Sequence, residues 1–258
     1  MTVSAAIESI LRRDRMLAAA ALSAVIALSW VYLLTGAGMS MHEMDGMLMP
    51  MRMEPWTLGY AVVVFGMWAV MMAAMMLPSA APMILLYGTI SRRRQASANV
   101  GTTSFVLGYV VVWALFSTVA VALQFAMEEA ALLSSMMEMT SIALAGALLI
   151  AAGLYQWTPL KQACLRRCRS PLDFIMTEWR EGSAGAFVMG LRHGVYCLGC
   201  CWLLMLLLFV GGVMNLLWIG GLAAFVLIEK LAPAGHWIGR AAGIALILWG
   251  TATLVRLG

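Results

Sequence analysis

Residues 57–77 read TLGYAVVVFGMWAVMMAAMML, a run of twenty-one residues without a single charged side chain. About 20 residues of α-helix cross the hydrocarbon core of a bilayer. A run of this length and composition therefore predicts a transmembrane helix, and it indicates the class to which the rest of the chain belongs.

The remainder of the 258-residue chain has the same character, since 63% of all residues are hydrophobic and only 11% are charged. This composition is typical of an integral membrane protein and excludes collagen-like, disordered and disulfide-stapled secreted chains. Six further spans are predicted at about 16–34, 102–125, 141–157, 185–210, 215–228 and 237–255. We expect an all-α protein in which residues 1–258 form a single polytopic membrane helix bundle of about seven transmembrane helices.

The positive residues predict the orientation of this bundle in the lipid bilayer. A cytoplasmic amino terminus places all but two of the 16 Lys and Arg residues on the cytoplasmic side and leaves Arg52 and Arg256 outside. Cytoplasmic loops are enriched in positive charge, so this split favours that orientation. The net charge of +4 is then an orientation signal, and no nucleic-acid partner is predicted. A re-entrant hairpin around Gly211 and Gly212 is the alternative to two separate spans at that point.

A methionine-rich segment connects the first two predicted spans on the outer side. Residues 39–53 read MSMHEMDGMLMPMRM and contain seven of the 23 methionines of the chain. Thioether sulfur suits Cu(I), and imidazole is also a copper ligand. We therefore expect His42 and Met44 to collect copper. The alternative is an interfacial loop or helix whose methionines pack on lipid headgroups and neighbouring helices.

Methionines also recur inside the quoted span, at positions 67, 71 and 75 and again at 72 and 76. Spacing of four residues stacks side chains on one face of a helix, so the sulfurs form two adjacent columns. The candidate metal ligands on this face are Met71, Met72, Met75 and Met76. Helix packing by an adaptable apolar stripe is the competing interpretation. Pro78 and Pro82 remove backbone donors near the cytoplasmic end, which is where we expect a site.

The five cysteines form two tight groups, 164–168 and 197–201. Spacings of three and four residues put the thiols of each group on one helical face, and both groups fall in the cytoplasmic half of the predicted bundle. The candidate thiol ligands are Cys164, Cys168, Cys197, Cys200 and Cys201. Buried structural cysteines, an iron–sulfur cluster and thiol redox exchange through the adjacent Cys200 and Cys201 are the alternatives.

Two further features concern charge and catalysis. Glu229 and Lys230 end the sixth predicted span, where either a solvated ion pair or an intramembrane functional group is possible. The sequence contains no phosphate-binding glycine loop, HExxH motif or Ser/His/Asp arrangement. We therefore assign no catalytic residue and expect a protein that is not an enzyme.

Three blocks of sequence resemble a bacterial family of unknown function that is catalogued as predicted metal-binding integral membrane proteins. They are WAVMMAAMMLP at 68–78, YQWTPLK at 155–161 and GCCWLLM at 199–205. The second block is followed by Cys164, Cys168, Arg169 and Pro171, and the third by Phe209, Gly212, Met214, Asn215 and Glu229. Together the blocks cover roughly residues 60–230. The resemblance implies a metal-binding membrane protein, but no substrate or mechanism.

Taken together, these patterns favour a copper-handling protein of the bacterial inner membrane. It would collect Cu(I) through the outer segment, pass it along the methionine face and hold or release it at the cysteines, together with a metallochaperone or membrane-complex partner. One alternative is a non-catalytic structural or assembly subunit of a larger membrane complex. The other is a membrane thiol redox protein.

Overall fold

The computed structural model describes residues 3–38, 41–44, 47–50, 55–94, 98–134 and 137–256. Within these ranges, side chains are described from residue 16 onward, except in 41–50 and at positions 93, 98 and 99. The elements are α1 (Val3–Leu34), β1 (Met41–Met44), β2 (Met47–Pro50), α2 (Leu58–Arg94), α3 (Ala98–Glu129), α4 (Ile142–Tyr155), α5 (Pro159–Arg169), α6 (Pro171–Glu178), α7 (Gly182–Leu206), α8 (Leu208–Gly211), α9 (Leu216–Leu231) and α10 (Gly235–Val255).

The predicted helical bundle is confirmed, with one addition in the methionine-rich segment. There β1 and β2 pair in an antiparallel hairpin, and His42 lies opposite Met49 in its register. Five helices in the described ranges are long and apolar enough to cross a membrane, and six if α4 and α5, bent by 63°, form one span. The predicted span at 215–228 corresponds to α9, which has only 16 residues. The count of seven spans and the orientation stay predictions.

Helix α2 lies at the centre of the bundle and is the most enclosed of the candidate spans. It continues without interruption through Pro78 and Pro82, so the two prolines do not break it. The carbonyl of Met76, close to these prolines, accepts hydrogen bonds from Ser79 Oγ at 2.9 Å and from Tyr109 OH at 3.2 Å. The N–H groups missing at the two prolines would have bonded to the carbonyls of Ala74 and Pro78, so the Met76 carbonyl accepts these side-chain bonds as an additional contact next to the prolines.

Helices α3 and α7 approach each other closely because glycines face each other at their contact. A Cβ at Gly108 would lie 2.2 Å from the Phe187 carbonyl oxygen, and one at Gly190 would lie 2.0 Å from that of Phe105. Small residues allow backbones to pack at short distance between helices in a membrane. This contact positions α7 next to α3 and brings its cysteine face towards the bundle centre.

Two of the arginines that the sequence predicts to be cytoplasmic make contacts between helix ends. The Arg94 guanidinium lies 4.7 Å from the ring centre of Trp179, joining the end of α2 to the end of α6. Arg169, at the end of α5, donates to the carbonyl oxygens of Ala232 and Pro233 after α9. These contacts join α2 to α6 and α5 to the segment that follows α9.

Candidate metal centre

Helix α7 carries three thiols on its buried face. Cys197, Cys200 and Cys201 are each at most 1% exposed. The Sγ atoms of Cys200 and Cys201 both donate to the Cys197 carbonyl oxygen at 3.0 Å. The spacing of three and four residues thus produces the shared face that the sequence predicts.

Helix α5 brings the other two cysteines to the same face of α7. The Cys168 thiol lies close enough to Cys197 and Cys200 to interact electrostatically with them. Cys164 lies over Gly199, where an added Cβ would be 2.7 Å from the Cys164 Sγ. All five cysteines are free thiols. The two sequence groups therefore meet in space, and we refer to these five residues as the thiol cluster.

The methionine face of α2 is buried and reaches the thiol cluster at one point. Met71, Met72, Met75 and Met76 are each at most 1% exposed. Cys201 Sγ lies 3.9 Å from Met76 Sδ, which is a sulfur–sulfur contact between α7 and α2. The face is therefore part of the packed core, as the packing interpretation holds, and it also ends against thiols.

A buried lysine lies next to the thiol cluster. Lys230 is 5% exposed, and its Nζ lies 2.9 Å from Cys197 Sγ and 3.2 Å from Ser79 Oγ. The hydroxyl of Tyr109 lies 3.1 Å from the same Cys197 sulfur. An ammonium, a phenol and a thiol thus meet at one point between α2, α3, α7 and α9.

Glu229 and Lys230 do not form the solvated ion pair that was one of the two sequence interpretations. Glu229 is fully buried, and both of its carboxylate oxygens lie 2.8 Å from the Nζ of Lys161, which is also fully buried. Consecutive residues near the end of a helix point in different directions, so Lys230 contacts the thiols while Glu229 contacts α5. Lys161 was not predicted as a partner because it is remote from Glu229 in sequence.

His193 lies one turn before Cys197 on α7 and is 3% exposed. Its ring packs among those of Phe105, Tyr109 and Phe174, and its Nδ1 has no hydrogen-bond partner in the described part of the chain. The sequence pattern marks this residue only by its proximity to Cys197. The surrounding aromatic rings show that it belongs to the core next to the thiol cluster.

The opposite end of the methionine face has a different environment. Trp68 Nε1 donates to Gln124 Oε1 at 2.8 Å, and Gln124 Nε2 donates to Glu128 Oε1 at 2.9 Å. Trp56 Nε1 donates to the second Glu128 oxygen at 2.7 Å. This chain of oxygen acceptors and N–H donors joins α2 and α3. We refer to it as the outer network, because it lies at the end of α2 that the sequence predicts to face outward.

The remaining predicted ligands, His42 and Met44, lie in β1, and their side chains are outside the described part of the chain. Among the described residues, no group of three or more His, Cys, Asp or Glu side chains is arranged to hold a metal ion. The thiol cluster instead offers pairs of thiols and one thioether. Such soft ligands suit Cu(I) better than they suit hard cations.

Fold and site together define a class of protein: a bundle of membrane-compatible helices with thiols, a thioether and a lysine buried at its centre. The model of the PpoB2 copper chaperone family matches residues 65–253, which is more than half of the chain. The chain therefore belongs to this family of copper chaperones, which confirms the predicted link to copper. In two further comparisons, neither a curated protein nor a solved structure matches this chain.

Proposed function

We propose that this protein is a Cu(I) chaperone of the bacterial inner membrane that holds copper at the thiol cluster and exchanges it with the methionine face of α2. One observation carries the proposal: the 3.9 Å contact between Cys201 Sγ and Met76 Sδ, which joins the two sets of soft ligands. Thiolate and thioether sulfur are the ligands that select Cu(I).

The family match supports a role in copper handling, and the buried contacts support the choice of ligands. Cys168, Cys197 and Cys200 lie within reach of one another, so two thiols from different helices are available to one ion. Met76 offers the next sulfur towards the outer end of α2. Copper would reach these ligands from the outer segment that contains His42 and Met44, and it would pass to an acceptor protein.

Two other functions receive less support from the contacts. Reactive thiols of redox proteins are partly exposed, whereas Cys200 and Cys201 are fully buried. A structural subunit explains the packed methionines but not a lysine buried against a thiol, because an apolar residue would fill that space at lower cost.

The test is the copper content of the full chain, purified in detergent under reducing conditions and loaded with Cu(I). We expect about one Cu(I) per chain or more in the wild type, and its loss when Cys197, Cys200 and Cys201 are all changed to Ser. Met189→Leu is the matched control, because Met189 is fully buried on the same helix and its sulfur accepts from Arg180 N, away from the thiols.

Copper retained by a folded and monodisperse triple Ser variant would overturn the assignment of the thiol cluster. A wild type that binds no copper but purifies with a stoichiometric partner would instead favour the assembly-subunit interpretation. Size-exclusion chromatography of both proteins distinguishes loss of ligands from loss of the fold.

A further inference from the structure

Lys230 brings a positive charge to the thiol cluster, and among the described residues it forms no ion pair with a carboxylate. In the described part of the chain, the hydrogen-bond partners of Lys230 Nζ are Ser79 Oγ at 3.2 Å and Cys197 Sγ at 2.9 Å. A buried ammonium without a negative partner is costly, because removal from water is not compensated by an attractive charge. A lysine at this position therefore needs a function that balances its cost.

The neighbouring carboxylate does not supply the missing charge. Glu229 forms its ion pair with Lys161, and both side chains are fully buried. The two charges of that pair cancel, so one positive charge remains at the cluster. Lys230 also interacts electrostatically with Cys168, Cys200 and Cys201, so together with Cys197 its field reaches four of the five thiols.

The net charge of the thiolates with a metal ion bound indicates which kind of ion Lys230 would stabilise. Cysteine binds a metal as the thiolate, so each cysteine ligand brings one negative charge. A monovalent ion held by two thiolates carries one net negative charge, which Lys230 cancels. A divalent ion on the same two thiolates is neutral, so the positive charge of Lys230 would remain unbalanced in the core.

We propose that Lys230 is the counter-ion that makes the thiol cluster select a monovalent soft metal ion over a divalent one. This inference rests on the proposed function, because it needs copper to bind at Cys197 and a second thiol. The ammonium carries three N–H donors, and its contacts with Ser79 and Cys197 use only two of them. A metal-bound thiolate keeps lone pairs, so the contact with Cys197 persists when the site is filled.

The test compares Lys230→Met, which removes the charge and keeps an unbranched side chain, with Lys230→Arg, which keeps the charge. Affinities of the detergent-purified full chain are measured for Cu(I) by competition with a chromophoric Cu(I) chelator and for Zn(II) with a zinc dye. In Lys230→Met we expect the Cu(I) affinity to fall about tenfold or more, because a close attraction is lost, and the Zn(II) affinity to change less than about threefold. Lys230→Arg retains both affinities within about threefold.

A second background isolates the electrostatic effect from any change in packing. Cys197→Met replaces one of the two proposed thiolate ligands by a neutral thioether, so a complex of Cu(I) with the same two side chains is already neutral. In this background, Lys230→Met no longer lowers the Cu(I) affinity relative to Cys197→Met alone. A double-mutant cycle gives this difference directly. If Lys230→Met is not monodisperse, Lys230→Gln replaces it in both backgrounds.

The outcomes separate this inference from the function on which it rests. A wild type that binds no Cu(I) overturns both. A wild type that binds Cu(I), with an unchanged Cu(I) affinity in Lys230→Met or an equal loss of both metals, overturns only the role of Lys230. An undiminished loss in the Cys197→Met background has the same meaning, because the effect would not depend on the second thiolate.

Discussion

The two ends of the methionine face of α2 are equally buried but chemically different. At Met76 the helix meets the thiol cluster and Lys230, whereas at Trp68 it meets the outer network of Gln124 and Glu128. Each of the three hydrogen bonds of the outer network joins an N–H donor to an oxygen acceptor, which is an arrangement that stabilises helix packing. The thiol end instead combines soft ligands with an ammonium that has no carboxylate. Burial alone therefore does not indicate a candidate functional site. A buried charge that lacks a partner of opposite charge is a better indication.

The largest effect is expected from the buried ion pair next to the thiol cluster. Lys161→Met leaves the Glu229 carboxylate buried without its partner, and we expect it to destabilise the protein by roughly 3–5 kcal/mol. Thermal or denaturant unfolding in detergent measures this loss. The matched control is Arg167→Met, because the Arg167–Asp173 pair is largely exposed and its removal should cost only about 0–1 kcal/mol. Equal costs for the two variants would show that the pair is not enclosed as the structure has it.

The second prediction concerns the outer network, at the end of the methionine face opposite the thiol cluster. Gln124→Leu removes the acceptor of the buried Trp68 N–H and the donor to Glu128, and it should destabilise the protein by about 1–3 kcal/mol. The number of Cu(I) ions bound should not change, because no sulfur ligand is touched. Unfolding curves and copper content are measured on the same preparation. Copper lost from a folded Gln124→Leu protein would place metal binding at the outer end and contradict the distinction between the ends.

The smallest effect on stability is expected for the methionines themselves. Met76→Leu and Met67→Leu conserve volume in the core, so each should cost less than about 1.5 kcal/mol. Met76 touches Cys201, whereas Met67 lies near the outer network on the same helix and is also fully buried. We expect Met76→Leu to slow the transfer of Cu(I) to a competing chelator, because the sulfur with which the thiol cluster exchanges copper is lost, and Met67→Leu to leave the transfer rate unchanged. The transfer rate of each variant is measured by stopped flow with the chelator. Identical rates for the two variants would indicate that the methionine face serves only helix packing.

Much of the local chemistry could be predicted from the sequence, because the period of the α-helix determines which side chains share a face. The cysteines at 197, 200 and 201 share a face in any α-helix, and so do the methionines spaced by four residues. The apolar runs likewise indicated the helices, since only a helix satisfies its own backbone in lipid. The hairpin of β1 and β2 was not predicted, because methionine-rich sequence without alternation carries no strand signal.

The partners of the cluster could not be predicted in the same way. The sequence signal for Lys230 was that of an ionisable residue at the end of an apolar run, which fits a solvated lysine equally well. Tyr109 and Ser79 gave no signal, because hydroxyl side chains are common in such helices. The contacts of Tyr109 with Met76 and Cys197, and of Ser79 with Lys230, depend on how α2, α3, α7 and α9 pack together.

The sequence by itself determined the class of this protein: an apolar helical bundle with two groups of cysteines, a methionine face and a resemblance to a family of predicted metal-binding membrane proteins. Composition and short-range periodicity are properties of a single segment, so they can be read without knowing its neighbours. Only the tertiary structure decided that α5 brings Cys168 to Cys197, that Met76 meets Cys201 and that Glu229 pairs with Lys161 rather than with Lys230. These pairings join residues far apart in the chain, and they are selected by helix packing, which the spacing within one helix does not encode.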